Sequence, residues 1–384
     1  EFIHMKDDNQ TAQNFNISVA ATDEFMKAVE EDLEVDLVDP HEQWDNGVMI
    51  SSKSEVVGKL PARQIWKEIV ESAWKTGDPG LYFIDEGNRH NPTPHLGNLD
   101  STNPCGEVPL LGFEACNLGS INLAKFVDND DFDYARLEDI TRKATRFLDN
   151  VVTVNEFPTP EVAHAVESTR KIGLGIMGWH DALIDMGIGY DSPKALELAN
   201  NVMSLINQIS REVSLDLATE RGPYPECRED IPIRNATRTC IAPTGSISAI
   251  AGCSSGIEPI FAVAFVKNVL DGKQLKEVNP YFVKIAKEKG FYSEALMDRI
   301  SKSGSVQDDP EVPDGVKSLF KTALEIDYRT HVMMQAVYQK HTDLAVSKTV
   351  NMPNSATVED VENAYRLAFE QKCKGITLYR DGSK

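Results

Sequence analysis

Short β-branched or apolar runs alternate with long amphipathic helical runs along most of this 384-residue chain, and that alternation constrains the fold more than any other feature. Strands separated by helices pair in parallel and lie under the helices that connect them, so the expected class is α/β with a mainly parallel sheet, open or closed. The helical runs have recognisable ends. Thr22 caps one through DEFMKAVEED, and Pro61 opens PARQIWKEIVESAWKT, which sets Ile65, Ile69 and Ala73 on one stripe and stops at Gly77. Apolar periodicity predicts further helices over residues 137–152, 161–188, 193–220 and 358–374. Residues 239–242, 349–352 and 376–379 read as buried strands, and 301–314, rich in Asp, Ser and Pro, as an exposed loop. The opening EFIHMKDD reads as the end of an element rather than the start of one.

Composition excludes several functional classes. Asp and Glu number 60 against 39 Lys and Arg, a formal charge of −21; such a chain repels a phosphate backbone, and no broad nucleic-acid binding is expected. Apolar runs such as 259–266 fall far short of the roughly 20 residues of a membrane helix, and no basic start followed by an apolar stretch directs secretion. A cytoplasmic location without a membrane partner follows. The six cysteines, Cys105, Cys116, Cys227, Cys240, Cys253 and Cys373, show no CxxC or Cys/His pairing. That spacing argues against a zinc site or a disulfide framework and leaves free or catalytic thiols.

One motif invites a wrong turn. Gly173-Leu-Gly175-Ile-Met-Gly178 matches the dinucleotide fingerprint GxGxxG, but that fingerprint follows a strand, whereas EVAHAVESTRKI before it is helical in period. Close packing between helices is the expected role of these glycines.

Two loops carry chemistry. Ser101-Thr-Asn103-Pro104-Cys105-Gly106-Glu107 sets an amide, a thiol and a carboxylate at alternate positions, which share a face if the loop is extended. A thiol exchanges hydrogen atoms, a carboxylate takes a hydroxyl proton and an amide holds that hydroxyl, a trio suited to radical chemistry on a polyol. The plain alternative is a proline–glycine turn with a buried cysteine and a solvated glutamate. The second loop, Pro243-Thr244-Gly245-Ser246-Ile247-Ser248, follows the predicted strand 239–242 and leads into an apolar run. A strand, a tight turn and a helix start present amides and the hydroxyls of Thr244, Ser246 and Ser248 to a phosphate; the alternative is a turn with a helix cap.

Eleven residues beyond Cys105 lies Cys116, in EACNLGSINLAKF, and here the chain resembles the large, catalytic chain of ribonucleotide reductases. The likeness runs through NFNISV (14–19), STNPCGE (101–107), ACNLGSINLAKF (115–126), RKIGLGIMG (170–178), IAPTGSISAIAGCSSGIEP (241–259), SKTVNMPNSAT (347–357) and KGITLYRDGS (374–383). It implies a ten-stranded α/β barrel of two parallel halves with a finger loop through its centre. This chain would carry the finger and the second half, as one C-terminal catalytic portion over 1–384, without the rest of the barrel and the effector region. It also implies that Cys105 is the thiyl radical, Glu107 takes the 3′-hydroxyl proton, Asn103 orients the sugar, Cys116 is half of the reducing dithiol, and residues 103–107 and 243–248 bind a ribonucleotide, its diphosphate on the second loop.

The radical source follows from the chain's end. Tyr379 stands alone where the diiron-partnered class has a tyrosine pair, and no glycyl-radical motif is present; NPCGE, PTGSIS and LYRDGS resemble the adenosylcobalamin-dependent class. The diiron-partnered class is the second reading, a non-catalytic remnant or scaffold the third. Implied partners are the N-terminal segment of the same enzyme, an external thiol reductant such as thioredoxin, and a second copy when complete. The departure from the family is the missing thiol: no cysteine precedes Cys105. Cys253, close in sequence to the phosphate loop, is the preferred substitute, while Cys240 and Cys373 read as buried hydrophobes.

Overall fold

The computed structural model describes residues 2–7, 14–45, 48–268 and 274–383. Of the opening EFIHMKDD, residues 3–7 form turns, and Glu1 and Asp8 lie outside the described residues. Helix ends follow local chemistry. The Thr22 hydroxyl accepts from Phe25 N at 3.0 Å at the head of Asp23–Glu31, Gly77 ends Ala62–Thr76 with φ +82°, and Thr357 and Asp360 form a capping box on Val358–Glu370. Ser192 with Pro193 starts the longest helix, Pro193–Arg221, and Gly222 stops it.

The strands form an arc. Asn117–Asn122 pairs in parallel with Ile172–Met177, and Leu174 bridges Thr239 while Ile241 bridges Val346, both in parallel. Thr349–Met352, just beyond that bridge, pairs in parallel with Gly375–Arg380. These five segments make one parallel half. Its last strand meets Gly80–Phe83 antiparallel, through Gly375 and Tyr82, and Gly80–Phe83 runs parallel to Ser18–Ala21. The arc thus holds five strands of one sense and two of the other, with its edges at Asn117–Asn122 and Ser18–Ala21, and among the described residues it does not close. Outside it the helices Tyr134–Val154, Pro193–Arg221, Tyr328–Gln339, Val358–Glu370, Ala62–Thr76 and Asp23–Glu31 touch in that order, burying two large apolar cores against the strands. None of the described helices is long and apolar enough to cross a membrane.

Three expectations are corrected. Residues 161–188 are not one helix: Pro160–Thr169 ends at Arg170, whose φ is +49°, Ile172–Met177 is a strand, and Trp179–Asp185 is a second helix. The period-2 alternation of Ile172, Leu174 and Ile176 with glycine carried the strand signal, and all three side chains are buried. The glycines therefore pack strand against strand rather than helix against helix. A Cβ on Gly175 would stand 2.0 Å from the Cys240 carbonyl oxygen, and one on Gly173 would stand 2.5 Å from the Leu118 side chain and 2.8 Å from Cys240 Cβ. Space for a side chain is what these positions lack; they do not cradle a pyrophosphate. The loop predicted at 301–314 begins late, since Glu294–Ser303 is helical, and it buries Val306 and Val312.

Candidate active site

The cysteine loop is a hairpin tip. Ser101–Thr102 pairs antiparallel with Pro109–Leu110, and between them the chain turns: Gly106 N donates to Asn103 O at 3.0 Å with Gly106 at φ +80°. The extended loop with three side chains on one face is not what forms. Asn103 Oδ1 accepts from Val108 N at 2.9 Å, tying the side chain to its own turn through the oxygen and leaving the amide NH2 for a ligand. Cys105 is exposed at the apex, and a Cβ on Gly106 would meet nothing within 4 Å. Glu107 is buried, and its Oε2 has no hydrogen-bond partner among the described residues. Partial burial and then the Glu107 carboxylate push the Cys105 thiol above its ordinary value, so it stays protonated near neutral pH.

The hairpin is seated in the arc by its backbone. Ala345 N donates to Glu107 O at 2.9 Å, Cys240 Sγ lies 3.7 Å from the same oxygen, and Asn16 Nδ2, in the NFNISV segment, donates to Pro104 O at 2.9 Å. A cleft at the tip is lined by Pro104, Cys105 and Gly106 on one side and by Ser18, Ser347 and Thr377 among others on the strands, which offers hydroxyls beside the thiol.

Cys116 lies where Asn117–Asn122 begins and packs on a small apolar cluster of Val108, Cys240 and Leu344. The spare thiol beside the finger is thus Cys240, buried as its apolar reading expected, whereas Cys253 sits past the phosphate loop. Cys240 reaches the finger through strand pairing, a nearness that sequence separation does not show.

The phosphate loop has the expected order. The bridging segment 239–241 leads through Pro243 to Thr244, at φ +59°, and then to the helix Gly245–Ala251. The hydroxyls of Thr244 and Ser248 are turned inward, however: Thr244 Oγ1 accepts from Gly256 N at 2.7 Å and Ser248 Oγ lies 2.9 Å from Ser255 Oγ. Gly245, Ser246 and Ile247 are the exposed members. Beyond them Glu258 accepts from Lys348 Nζ and Thr349 N, each at 2.6 Å. Lys348 is buried and also lines the finger cleft, so its pair with the half-buried Glu258 ties the two loops together, a link across 90 residues that no local spacing signals.

The same segment is clamped by His180, whose Nδ1 accepts from Ile260 N at 2.8 Å and whose Nε2 donates to Leu319 O at 3.2 Å. Burial lowers its pKa to about 4. In the unfolded chain this histidine takes a proton near its ordinary value of 6.5, so its contribution is whole above pH 6.5 and is lost as pH falls toward 4. The loss should reach roughly 3 kcal/mol, and urea midpoints should fall less steeply across that window in His180→Gln than in the parent chain.

Comparison with known proteins places this geometry. The family described as ribonucleotide reductase, barrel domain, matches residues 1–231 and 228–379. The chain belongs to the ribonucleotide reductase family. It is 49% identical over 392 residues to a vitamin B12-dependent ribonucleoside-diphosphate reductase of Thermoplasma acidophilum, taking in 100% of this chain and 50% of that protein. It is 45% identical over 376 residues to the protein of the same name from Mycobacterium tuberculosis strain H37Rv, with 97% of this chain and 52% of the relative covered. The chain thus spans about half the length of these reductases. A solved class Id ribonucleotide reductase alpha subunit of Actinobacillus ureae shares the fold, with TM-score 0.79 at 24% identity over 99% of this chain and 68% of that one. The seven-strand arc with its antiparallel junction is therefore a portion of the reductase barrel, and the hairpin tip is its finger.

Proposed function

We propose that this chain is the radical-bearing portion of an adenosylcobalamin-dependent ribonucleotide reductase that converts ribonucleoside diphosphates to 2′-deoxyribonucleotides. The observation that carries the reading is the finger: a protonated, exposed thiol two residues from a buried carboxylate with a free oxygen. Cys105, as a thiyl radical, takes the ribose 3′ hydrogen; Glu107 Oε2 accepts the 3′-hydroxyl proton; the Asn103 amide holds the sugar; the 2′-hydroxyl takes a proton from the reducing dithiol and leaves as water; and Cys105 returns its hydrogen atom to C3′ once the dithiol is oxidised. Pro104 and Gly106 shape the tip. The diphosphate rests on the backbone of Gly245, Ser246 and Ile247, with Pro243, Thr244 and Ser248 as the loop's frame. Cys116 then supplies one half of the reducing dithiol.

Adenosylcobalamin, when bound, supplies the carbon-centred radical. The finger fits such a group because Cys105 is exposed and the space beside Gly106 is open, so a bulky cofactor can face the thiol. The names of the B12-dependent relatives support this class over the diiron-partnered one.

The unpaired arc edges and the family's second redox thiol both call for the N-terminal portion of the enzyme, with thioredoxin or a similar dithiol as external reductant and a dimer as the assembled state. Incubated with a ribonucleoside diphosphate, adenosylcobalamin and dithiothreitol, the chain alone should form no deoxyribonucleotide, and addition of the complementary segment should produce it. Absence of product from the assembled enzyme would reject the function. Multiple turnover by the chain alone would reject the need for the segment and make Cys240 the second thiol.

A further inference from the structure

Beside Cys116 lies a buried ion pair that the reaction outlined above does not use. Lys171 Nζ donates to Glu114 Oε2 at 2.5 Å, and the two side chains are 1% and 2% exposed. Glu114 is further held by the Thr169 hydroxyl at 2.8 Å and by Leu111 N at 2.8 Å. Strand register brings the pair to the thiol. Ile172 stands opposite Asn117 and Gly173 opposite Leu118, so Lys171 is the next residue out, opposite Cys116, while Glu114 lies two residues before Cys116. A full ammonium and carboxylate kept out of water are costly unless their environment uses or satisfies them, and both charges are felt at the Cys116 sulfur.

We propose that Lys171, held in place by Glu114, is a positioning residue that stabilises negative charge as it develops on the Cys116 sulfur and thereby supports the competence of that sulfur in thiol–disulfide exchange. The biological use of this control rests on the reading of Cys116 as a redox thiol; the control itself does not. When a dithiol reductant attacks a disulfide that includes Cys116, the new S–S bond forms at the other sulfur. The old bond breaks, and its electron pair leaves on Cys116 Sγ. That negative charge develops beside the Lys171 ammonium, and a better-stabilised leaving thiolate leaves faster. The charged groups facing the sulfur are Lys171 from the neighbouring strand, Glu114 from its own segment and Glu107 from the finger; Cys240 faces it from the segment 239–241. Burial and the two carboxylates oppose ionisation, and Lys171 alone among these groups favours it.

The test is alkylation of the full chain by iodoacetamide, read peptide by peptide as a rate at fixed pH, with the exposed Cys105 as internal reference. Lys171→Met should slow Cys116 alkylation roughly tenfold, equivalent to about one pKa unit. Glu114→Gln should speed it, and Lys171→Arg should stay near the parent rate, while Cys105 holds steady in all three. Opposite shifts from the two halves of one ion pair are not produced by loosened packing, which would speed both. Equal rates at Cys116 across the variants, shifts of the same sign, or a matching shift at Cys105 would overturn the proposal. If Lys171→Met fails to fold, Lys171→Gln takes its place: slower Cys116 alkylation upholds the assignment, and an unchanged or faster rate defeats it. No nucleotide, cofactor or partner enters the assay, so its outcome is independent of whether the assembled protein reduces ribonucleotides.

Discussion

Cys105→Ala should abolish exchange of hydrogen label between the 5′ position of adenosylcobalamin and solvent in the assembled enzyme, leaving only the background of enzyme-free cofactor. The thiol is the one group on the finger that can pass a hydrogen atom, and it is held at an exposed turn apex by the Gly106–Asn103 and Asn16–Pro104 hydrogen bonds. Alanine occupies the same turn without strain, since the positive φ belongs to Gly106 and not to Cys105, so the fold should be retained. Cys116→Ser should keep the exchange and lose multiple turnover, because Cys116 lies off the apex on the cluster with Val108, Cys240 and Leu344. Undiminished exchange in Cys105→Ala would refute the radical assignment, and exchange kept in Cys105→Ala but lost in Cys116→Ser would mean that the two thiols had been given each other's roles.

The largest stability effect is expected far from the chemistry, at Asp149. This carboxylate is fully buried on Tyr134–Val154 and gathers three arginines: Arg170 at 2.8 Å, Arg221 at 3.1 Å and Arg234 at 3.3 Å. Asn235 adds a hydrogen bond at 3.1 Å. These partners come from the turn before Ile172–Met177, from the end of Pro193–Arg221 and from the segment leading into 239–241, so one carboxylate joins two helices to two neighbouring strands. Burial by itself would raise its pKa; the hydrogen bond and charge of Arg170, with the charge of Arg234, more than reverse that and hold the carboxyl below its ordinary value. Asp149→Asn keeps the shape but leaves three guanidinium groups facing a neutral amide. The cost should be about 3–5 kcal/mol, the range for removing one partner of a buried ion pair, read as a lower urea midpoint with an unchanged slope. A loss under about 1 kcal/mol would show that water reaches the cluster and screens it, as it does at surface pairs.

Much of the fold was legible in the residues because the relevant interactions are local. Thr22, Ser192 with Pro193, and Thr357 with Asp360 announce helix starts through bonds that close within one turn, Pro61 does so by its fixed φ, and β-branched runs such as Thr349–Met352 announce buried strands. The turn at 103–107 and the loop into the helix Gly245–Ala251 were likewise readable, because glycine and proline punctuate them locally. The strand Ile172–Met177 was not read, since helical period on both sides masked six residues whose glycines make sense only once the Cys240 backbone is seen pressing on them.

What the sequence determined, then, was the class of fold and the residue types that the two candidate loops present, Cys105 and Glu107 among them. Tertiary structure alone decided the turn that takes up the Asn103 oxygen, the inward hydroxyls of Thr244 and Ser248, the Glu258–Lys348 tie between the loops, the approach of Cys240 to the finger and the placing of Lys171 against Cys116. Those contacts join residues up to about 130 positions apart, and they depend on strand register and buried electrostatics, neither of which is encoded in the spacing of any one segment.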